Sequence, residues 1–535
     1  MRPAMRPQDQ DAGARSSPAP PYDVAVIGGG LTGSATALLL KRAAPGLRVL
    51  LADERLQADR KVGESAIELS SWFLTRVLGL DRHLTLEQLP KYGLRYFFQN
   101  DAVTGLANAS ELGNRFQTRV PSYHVDRSIL DDHVLGLAEK EGVEVLRGVR
   151  AIPGSIDPGR DTEIRLEGPD APRDVLARWI VDATGRKAVL ARKLELLEPV
   201  AGHPTRSVWA RYRDVADIDS GMIPDRLQGG AGVPICSRGL STNHLTGLGW
   251  WIWIIPLPGG ETSVGIVWDE RLFDLPPGGT LAARFDGFMR STPAGREILQ
   301  GASMVDNDLH ALNHLPYRVR RLAGPGWALV GDASGFIDPL YSPGLDWGGV
   351  TVVKTVEFIL RALRGEKVTG ILATYNARMT RSFRRLVEAL YLDKYYYLGD
   401  IDLMEIALRV DVGLYYFGVV APPYREGVRA LEPPFALPIS TPFYHLMRVV
   451  NWRLAVLARS RLASGSWGRG NAGRRVLLPG FAPGPKALSV VPGALARLVG
   501  LELRTLAERL AGRRGAIAEA GARRGVVSHA GRAES

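Results

Sequence analysis

The sequence predicts an α/β fold in which a parallel sheet seats a dinucleotide, a second β-sheet lies over it, and a helical region follows towards the C-terminus. Three observations carry this expectation. The run Val24-Ala25-Val26-Ile27-Gly28-Gly29-Gly30-Leu31-Thr32-Gly33 reads as a strand passing through a glycine turn into a helix, the arrangement that seats a pyrophosphate on a helix N-terminus. Short apolar strands at 179–183 and 327–330 each end in a motif, and α/β sheets bind ligands at the C-terminal ends of their strands. Beyond about residue 365 helical patterns dominate, broken at Pro422-Pro423, Pro433-Pro434 and Pro479.

At 535 residues the chain is too long for one simple core, so two or three interleaved domains are expected. Residues 1–20 have no apolar run and read as a disordered leader, not a signal peptide. Residues 21–365 are expected to hold the dinucleotide domain, interleaved with a substrate-domain sheet at about 92–119 and 200–320. Residues 366–535 read as helical with a basic tail. Hydrophobic content of 45% and charged content of 23% are those of an ordinary globular protein and favour neither disorder nor membrane spanning. The single cysteine, Cys236, excludes intramolecular disulfides and cysteine-cluster metal sites and fits a reducing cytoplasm; no metal site is expected. Part of the net charge of +11 is local, with nine basic and four acidic residues from Lys486 onward. No aromatics interleave with those arginines, so nucleic acid is not the expected partner. A contact of the tail with a membrane surface or an acidic carrier protein stays open.

Each element has its reason. Gly28 permits the tight turn, Gly30 lets backbone approach phosphate, and Gly33 lets the helix pack on the strand, with Gly29, Leu31 and Thr32 completing the cradle. A second strand, 48–53, ends on Asp53, twenty residues past Gly33, where a carboxylate can accept from a ribose hydroxyl. Glu54 is the rival for that role. Helices are expected at 66–80 and 123–142, a strand at 144–146, and β-patterned runs at 249–256 and 261–268.

Further motifs occur in a fixed order: Lys61-Val62-Gly63-Glu64-Ser65, Asp126-Arg127, Asp182-Ala183-Thr184-Gly185, Trp251-Ile252-Trp253-Ile254-Ile255-Pro256, Gly331-Asp332-Ala333 and Phe336-Ile337-Asp338-Pro339-Leu340-Tyr341-Ser342-Pro343-Gly344. On these residues the chain resembles the flavin-dependent halogenases, the tryptophan and phenol halogenase-like branch of the FAD-dependent monooxygenases. The resemblance implies a FAD-binding Rossmann-like domain of the p-hydroxybenzoate hydroxylase kind. It implies that FAD is held by Gly28, Gly29, Gly30, Leu31, Thr32, Gly33, Asp53 or Glu54, Glu64, Ser65, Arg127, Asp332 and Leu345. It implies a halide ion as co-substrate at Pro343 and Gly344, and shielding of the flavin by Trp251, Trp253, Pro256, Phe336, Pro339 and Ser342. Lys91 is then the catalytic residue, holding hypohalous acid or forming a haloamine beside an aromatic ring. A separate flavin reductase is the implied partner, because the Asp-Gly-x-x-Ser pattern associated with NADPH handling is absent.

Two positions depart from the family pattern. Tyr341 stands where tryptophan-acting halogenases carry a Glu, which points to a phenol or pyrrole substrate, free or carrier-tethered, in secondary metabolism. Pro343 has no N–H, removing one donor from the halide cradle, a loss of about 1.5–3 kcal/mol for a charge-assisted bond; Gly344 and Leu345 still offer donors. The alternatives are a monooxygenase or reductase of the same fold, and a non-enzymatic flavin-binding, membrane-associated protein whose support would be the basic tail and the aromatics Tyr391, Tyr395, Tyr396, Tyr397, Tyr415, Tyr416 and Phe417. Those aromatics are expected in the core or over the substrate pocket. His124, His244, His310 and His314 are expected to satisfy core contacts.

Overall fold

The structure, a computed structural model, describes residues 21–169, 172–219 and 236–507. The expected leader, residues 1–20, and most of the basic tail, 508–535, lie outside the described residues. No helix among the described residues is long and apolar enough to cross a membrane.

The strand Tyr22–Ile27 is almost wholly buried and pairs in parallel with Val49–Asp53 on one side and Arg173–Asp182 on the other. Continuous apolar runs of this kind are what a parallel sheet covered on both faces requires. Glu144–Arg147 extends one edge, and Trp327–Leu329 with Ala323–Gly324 the other. Helices Leu31–Ala43, Arg127–Lys140 and Pro343–Leu363 pack together over this sheet. The helix expected at 123–142 starts only at Arg127, because the Asp126 carboxylate accepts from Ser128 N at 2.8 Å and caps it. The helix expected at 66–80 is shorter and irregular, with Glu68–Trp72 continuing into a π-turn at Phe73–Val77.

A second, nine-stranded sheet runs Ser303–Met304, Thr205–Arg213, Thr262–Asp269, Trp250–Pro256, Thr242–Gly247, Leu94–Phe98, Ser110–Asn114 and Arg475–Leu478, with His310–Leu312 beside Thr205–Arg213. Strand alternation decides which way each tryptophan faces. Trp251, Trp253 and Ile255 face the main core, whereas Trp250, Ile252 and Ile254 face a smaller core capped by Phe285 and Met289. Gly265, paired with Trp253, makes room for the indole; a Cβ there would lie 2.2 Å from the ring. The C-terminal region is chiefly helical, with Thr369–Leu386, Ile401–Tyr415 and Thr441–Ala463 as its long members. It is not purely helical, since Arg475–Leu478 adds to the second sheet in parallel with Ser110–Asn114.

The glycine turn gives a direct test of the first sheet. A Cβ at Gly33 would lie 1.9 Å from Gly28 O and 2.9 Å from Ala183 Cβ, whereas one at Gly344 meets nothing within 4 Å. Gly33→Ala is expected to cost about 3 kcal/mol or more, and Gly344→Ala to leave thermal stability at or above wild type. Melting curves of the two variants check this pair.

Candidate active site

The turn after the first strand is shaped by backbone sterics. Gly28 has φ +102°, and a Cβ there would lie 2.5 Å from Ala183 O. Gly29 N donates to Asp53 Oδ2 at 2.6 Å, which locks the turn to the end of the second strand. Burial would raise the Asp53 carboxyl, but hydrogen bonds and charge from Arg55, with Nε on Oδ1 at 3.1 Å and Nη2 on Oδ2 at 2.9 Å, hold it below the usual range. Glu54 is exposed and pairs with Lys187. Of the two candidate acids, the structure therefore places Asp53, not Glu54, against the turn.

Leu31 is buried in the first turn of the helix and Thr32 packs against Gly331 and Gly348. Lys61 and Arg127 approach the same N-terminus and share the buried Asp131, at 2.5 Å from Lys61 Nζ and 2.9 Å from Arg127 Nε. Asp332 lies in the turn after Trp327–Leu329; burial pushes its carboxyl up, opposed by the charges of Arg186, Arg127 and Lys61. Its side chain makes no hydrogen bond among the described residues. Free helix N–H groups with two cations, an acid at the second strand and an acid at the Gly331–Ser334 turn form the donor and acceptor set that a flavin dinucleotide needs for phosphates, ribose and ribityl chain.

Glu64 and Ser65, also expected at the cofactor, each have protein partners. Glu64 is buried in a network with Arg211, at 3.2 Å, and Arg211 also pairs with Asp126 at 2.8 Å. Burial raises the Glu64 carboxyl to about 7, against the hydrogen bond from Ser263 and the Arg211 charge. Ser65 Oγ accepts from Lys91 Nζ at 2.7 Å and contacts Thr242 Oγ1 at 3.2 Å.

Lys91 lies between the strands Leu89–Pro90 and Leu94–Phe98, is only 2% exposed, and lines a mainly apolar cavity. Burial lowers its ammonium to about 8, while Glu68 and Asp346 act in the opposite sense. Those two carboxyls also line the cavity and were missed from sequence. Asp346 Oδ1 accepts from Ser70 N at 2.8 Å and Oδ2 from Tyr415 Oη at 3.1 Å, and burial pushes this group up to about 7. Tyr416 Oη donates to Glu68 Oε1 at 2.7 Å. The available signal was an acid inside each of two apolar helical stretches, Ala66-Ile67-Glu68-Leu69 and Gly344-Leu345-Asp346-Trp347.

The loop from Phe336 to Gly344 forms another wall. Phe336 is half-buried on the cavity and faces the Arg186 guanidinium at 5.3 Å. Tyr341 and Ser342 are both left-handed, with φ +69° and +57°, and turn the chain into the Pro343–Leu363 helix. Pro343 occupies the first helical position, where no intrahelical N–H bond would form. Gly344 and Leu345 follow it in the first turn, and Ser342 does not cap the helix. Pro339 is half-buried in the loop. Tyr341 Oη donates to Asp411 at 3.0 Å, and the buried Lys394 pairs with the same carboxylate at 2.8 Å.

Trp251, Trp253 and Pro256 do not line the cavity that holds Lys91, Phe336 and Pro343. Strand alternation turns both indoles into the core behind the loop. Trp251 Nε1 donates to Tyr395 Oη at 2.8 Å, Tyr395 donates to Asp338 at 2.9 Å, and His203 Nε2 sits 2.8 Å from the same oxygen. Trp253 Nε1 donates to Ser263 Oγ at 3.1 Å. Tyr391, Tyr415, Tyr416 and Phe417 line the cavity; Tyr395 and Tyr397 are core. His124 and His244 are buried and held below the usual range by desolvation, His310 stacks on Trp209, and His314 is exposed.

With this geometry in place, comparison with known proteins defines a class. The tryptophan halogenase family model matches residues 102–398, more than half of the chain, and the chain belongs to that family. Tetracycline 7-halogenase of Kitasatospora aureofaciens is 30% identical over 356 residues, covering 61% of each chain. Flavin-dependent halogenase chlA of Dictyostelium discoideum is 25% identical over 478 residues, covering 82% of this chain and 76% of its own. The 1H-pyrrole-2-carbonyl-[peptidyl-carrier protein] chlorinase of Pseudomonas fluorescens is 23% identical over 61% of this chain and 72% of its own. The crystal structure of halogenase PltM in complex with phloroglucinol and FAD superposes with a TM-score of 0.66 over 89% of this chain and 96% of that one, at 18% identity. The fold is therefore that of the FAD-dependent halogenases.

The buried lysine predicts a pH signature. Its ammonium loses its proton near 8 when folded and near 10.5 in the unfolded chain. Below about 8 both states are charged and the burial cost is full; as pH rises towards 10.5 the folded amine is already neutral and the cost disappears. Lys91→Met is expected to be more stable than wild type at pH 7 by on the order of 3 kcal/mol, with the difference shrinking across that window. Urea unfolding at a series of pH values checks it.

Proposed function

We propose that the chain is a flavin-dependent halogenase that uses reduced FAD, O2 and chloride or bromide to halogenate an electron-rich aromatic ring, a phenol or a pyrrole, free or carrier-tethered. The carrying observation is that the buried Lys91 ammonium opens on the same cavity as Asp332, Phe336, Pro343 and Gly344. The names of the relatives support halogenation as the reaction and aromatic secondary metabolites as the substrates. A separate reductase supplying reduced FAD, and a cytoplasmic location, complete the reading.

The residues divide the work. Bound reduced FAD, with O2, supplies the oxidising power that converts halide to hypohalous acid. The amides of Gly344 and Leu345, at the start of a 21-residue helix, offer donors and a helix-dipole charge of roughly half a unit to the halide. Lys91 holds hypohalous acid by hydrogen bond, and Ser65 Oγ fixes the direction of its ammonium. The apolar walls exclude water, which would otherwise compete for the electrophile.

A monooxygenase of the same fold is the second reading. It is favoured by Pro343, which puts a residue without an N–H at the start of the helix expected to cradle the halide. The two readings part on the product. With FAD, a flavin reductase, NADPH, bromide and a panel of phenols, brominated product is expected; an oxygenated, halogen-free product at saturating bromide overturns the proposal. Lys91→Ala is expected to retain flavin binding and peroxide release while losing at least 100-fold of halogenation. Pro343→Ser restores one N–H donor and is expected to lower the bromide concentration for half-maximal rate by about tenfold.

A further inference from the structure

The halogenase reading uses Lys91 and leaves unassigned the two carboxyls that act on its charge. Glu68 and Asp346 are 7% and 9% exposed, line the same cavity, and both act on the lysine charge. Their surroundings differ. Asp346 has both oxygens engaged, by Ser70 N and Tyr415 Oη. Glu68 has Oε1 engaged by Tyr416, while Oε2 makes no hydrogen bond among the described residues. The other titratable groups against Glu68 are Tyr424, whose hydroxyl reaches Glu68 O at 3.4 Å, and Tyr415, which accepts from Leu69 N at 3.2 Å. A buried carboxyl on a cavity wall, with one oxygen clamped and the other without a hydrogen bond among the described residues, has the geometry of a general base. Away from this polar end the cavity is apolar, walled by Phe383, Leu386, Val412, Phe417, Phe443 and Met447 from the C-terminal helices.

Resting on the halogenase reading, we propose that Glu68 is the catalytic base for a phenolic substrate, taking the hydroxyl proton on Oε2 while the apolar end of the cavity holds the rest of the molecule. The phenol O–H bond breaks, its proton passes to Glu68, and the electron pair stays on oxygen and activates the ring. A ring carbon then attacks the halogen of hypohalous acid. The carbon–halogen bond forms, the oxygen–halogen bond breaks, and the departing hydroxide takes a proton from the Lys91 ammonium to leave as water. The neutral Lys91 amine accepts the ring proton, its C–H electron pair restoring aromaticity, and Glu68 returns its proton to the phenolate oxygen. Both side chains end as they began, and phenol plus hypohalous acid has become halophenol plus water. Burial and the neighbouring Glu68 both push the Asp346 carboxyl up, which favours its neutral form beside Glu68. Tyr341 supplies no carboxylate at its own position in the loop, and the loop's Asp338 is engaged by Tyr395 and His203.

The test is Glu68→Gln, whose amide oxygen can still accept from Tyr416, assayed on a series of phenols of graded acidity. With phenols un-ionised at the assay pH the variant is expected to lose at least 100-fold in kcat/KM. With phenols already ionised it should come within about threefold of wild type. A chromophoric phenol bound without flavin reductase should show its phenolate absorption at lower pH in wild type than in the variant. Equal losses across the series, with no difference in the bound-phenol titration, would overturn the assignment of Glu68. If wild type yields no halogenated product at all, the halogenase reading itself fails, and the bound-phenol titration still decides whether Glu68 takes the proton.

Discussion

An ammonium group removed from water organises this molecule. Lys91 can keep a charge only because acceptors and opposite charges are built around it, and each comes from a different part of the chain. Ser65 arrives from the short strand Ser65–Ala66, Glu68 from the short helix that follows, and Asp346 from the first turn of the Pro343–Leu363 helix. That requirement ties the dinucleotide layer and the second sheet to one point. A buried charge with poor partners is expensive, so the elements that carry these partners are held to a narrow geometry.

A second constraint lies behind the loop. Asp338 accepts from Tyr395 and contacts His203, and Trp251 donates to Tyr395. The tryptophan motif thus acts on the loop through a chain of hydrogen bonds among fully buried groups, and fixes the stretch that ends in the left-handed pair Tyr341 and Ser342. Satisfied polar networks in a low-dielectric core are rigid. Rigidity here supports the orientation of the Gly344 and Leu345 amides before any anion arrives.

Much of this was legible in the sequence where the signal is local. The glycine turn with Asp53, the helix start at Asp126-Arg127 and the loop Phe336–Gly344 are contiguous strings whose backbone demands can be read residue by residue. Lys91 was found by its place after Gly63-Glu64-Ser65. What escaped depends on distant packing. Ser70 and Asp346 are 276 positions apart, and nothing in either neighbourhood announces the other. The facing of Trp251 and Trp253 was also hidden, because period-two alternation names two faces without saying which meets the cavity. The pairing of Glu64 with Arg211, a residue 147 positions away, was hidden by distance, as for Ser70 and Asp346.

The Arg475–Leu478 strand has a consequence for how the chain reaches this state. It completes a sheet whose neighbouring strand, Ser110–Asn114, is synthesised more than 350 residues earlier. At about 5–20 residues per second, that edge waits roughly 20–70 seconds during translation with its backbone groups unpaired. An uncovered edge strand is a template for association with other chains, so the Ser110–Asn114 edge stays open to such association until the late strand has been made.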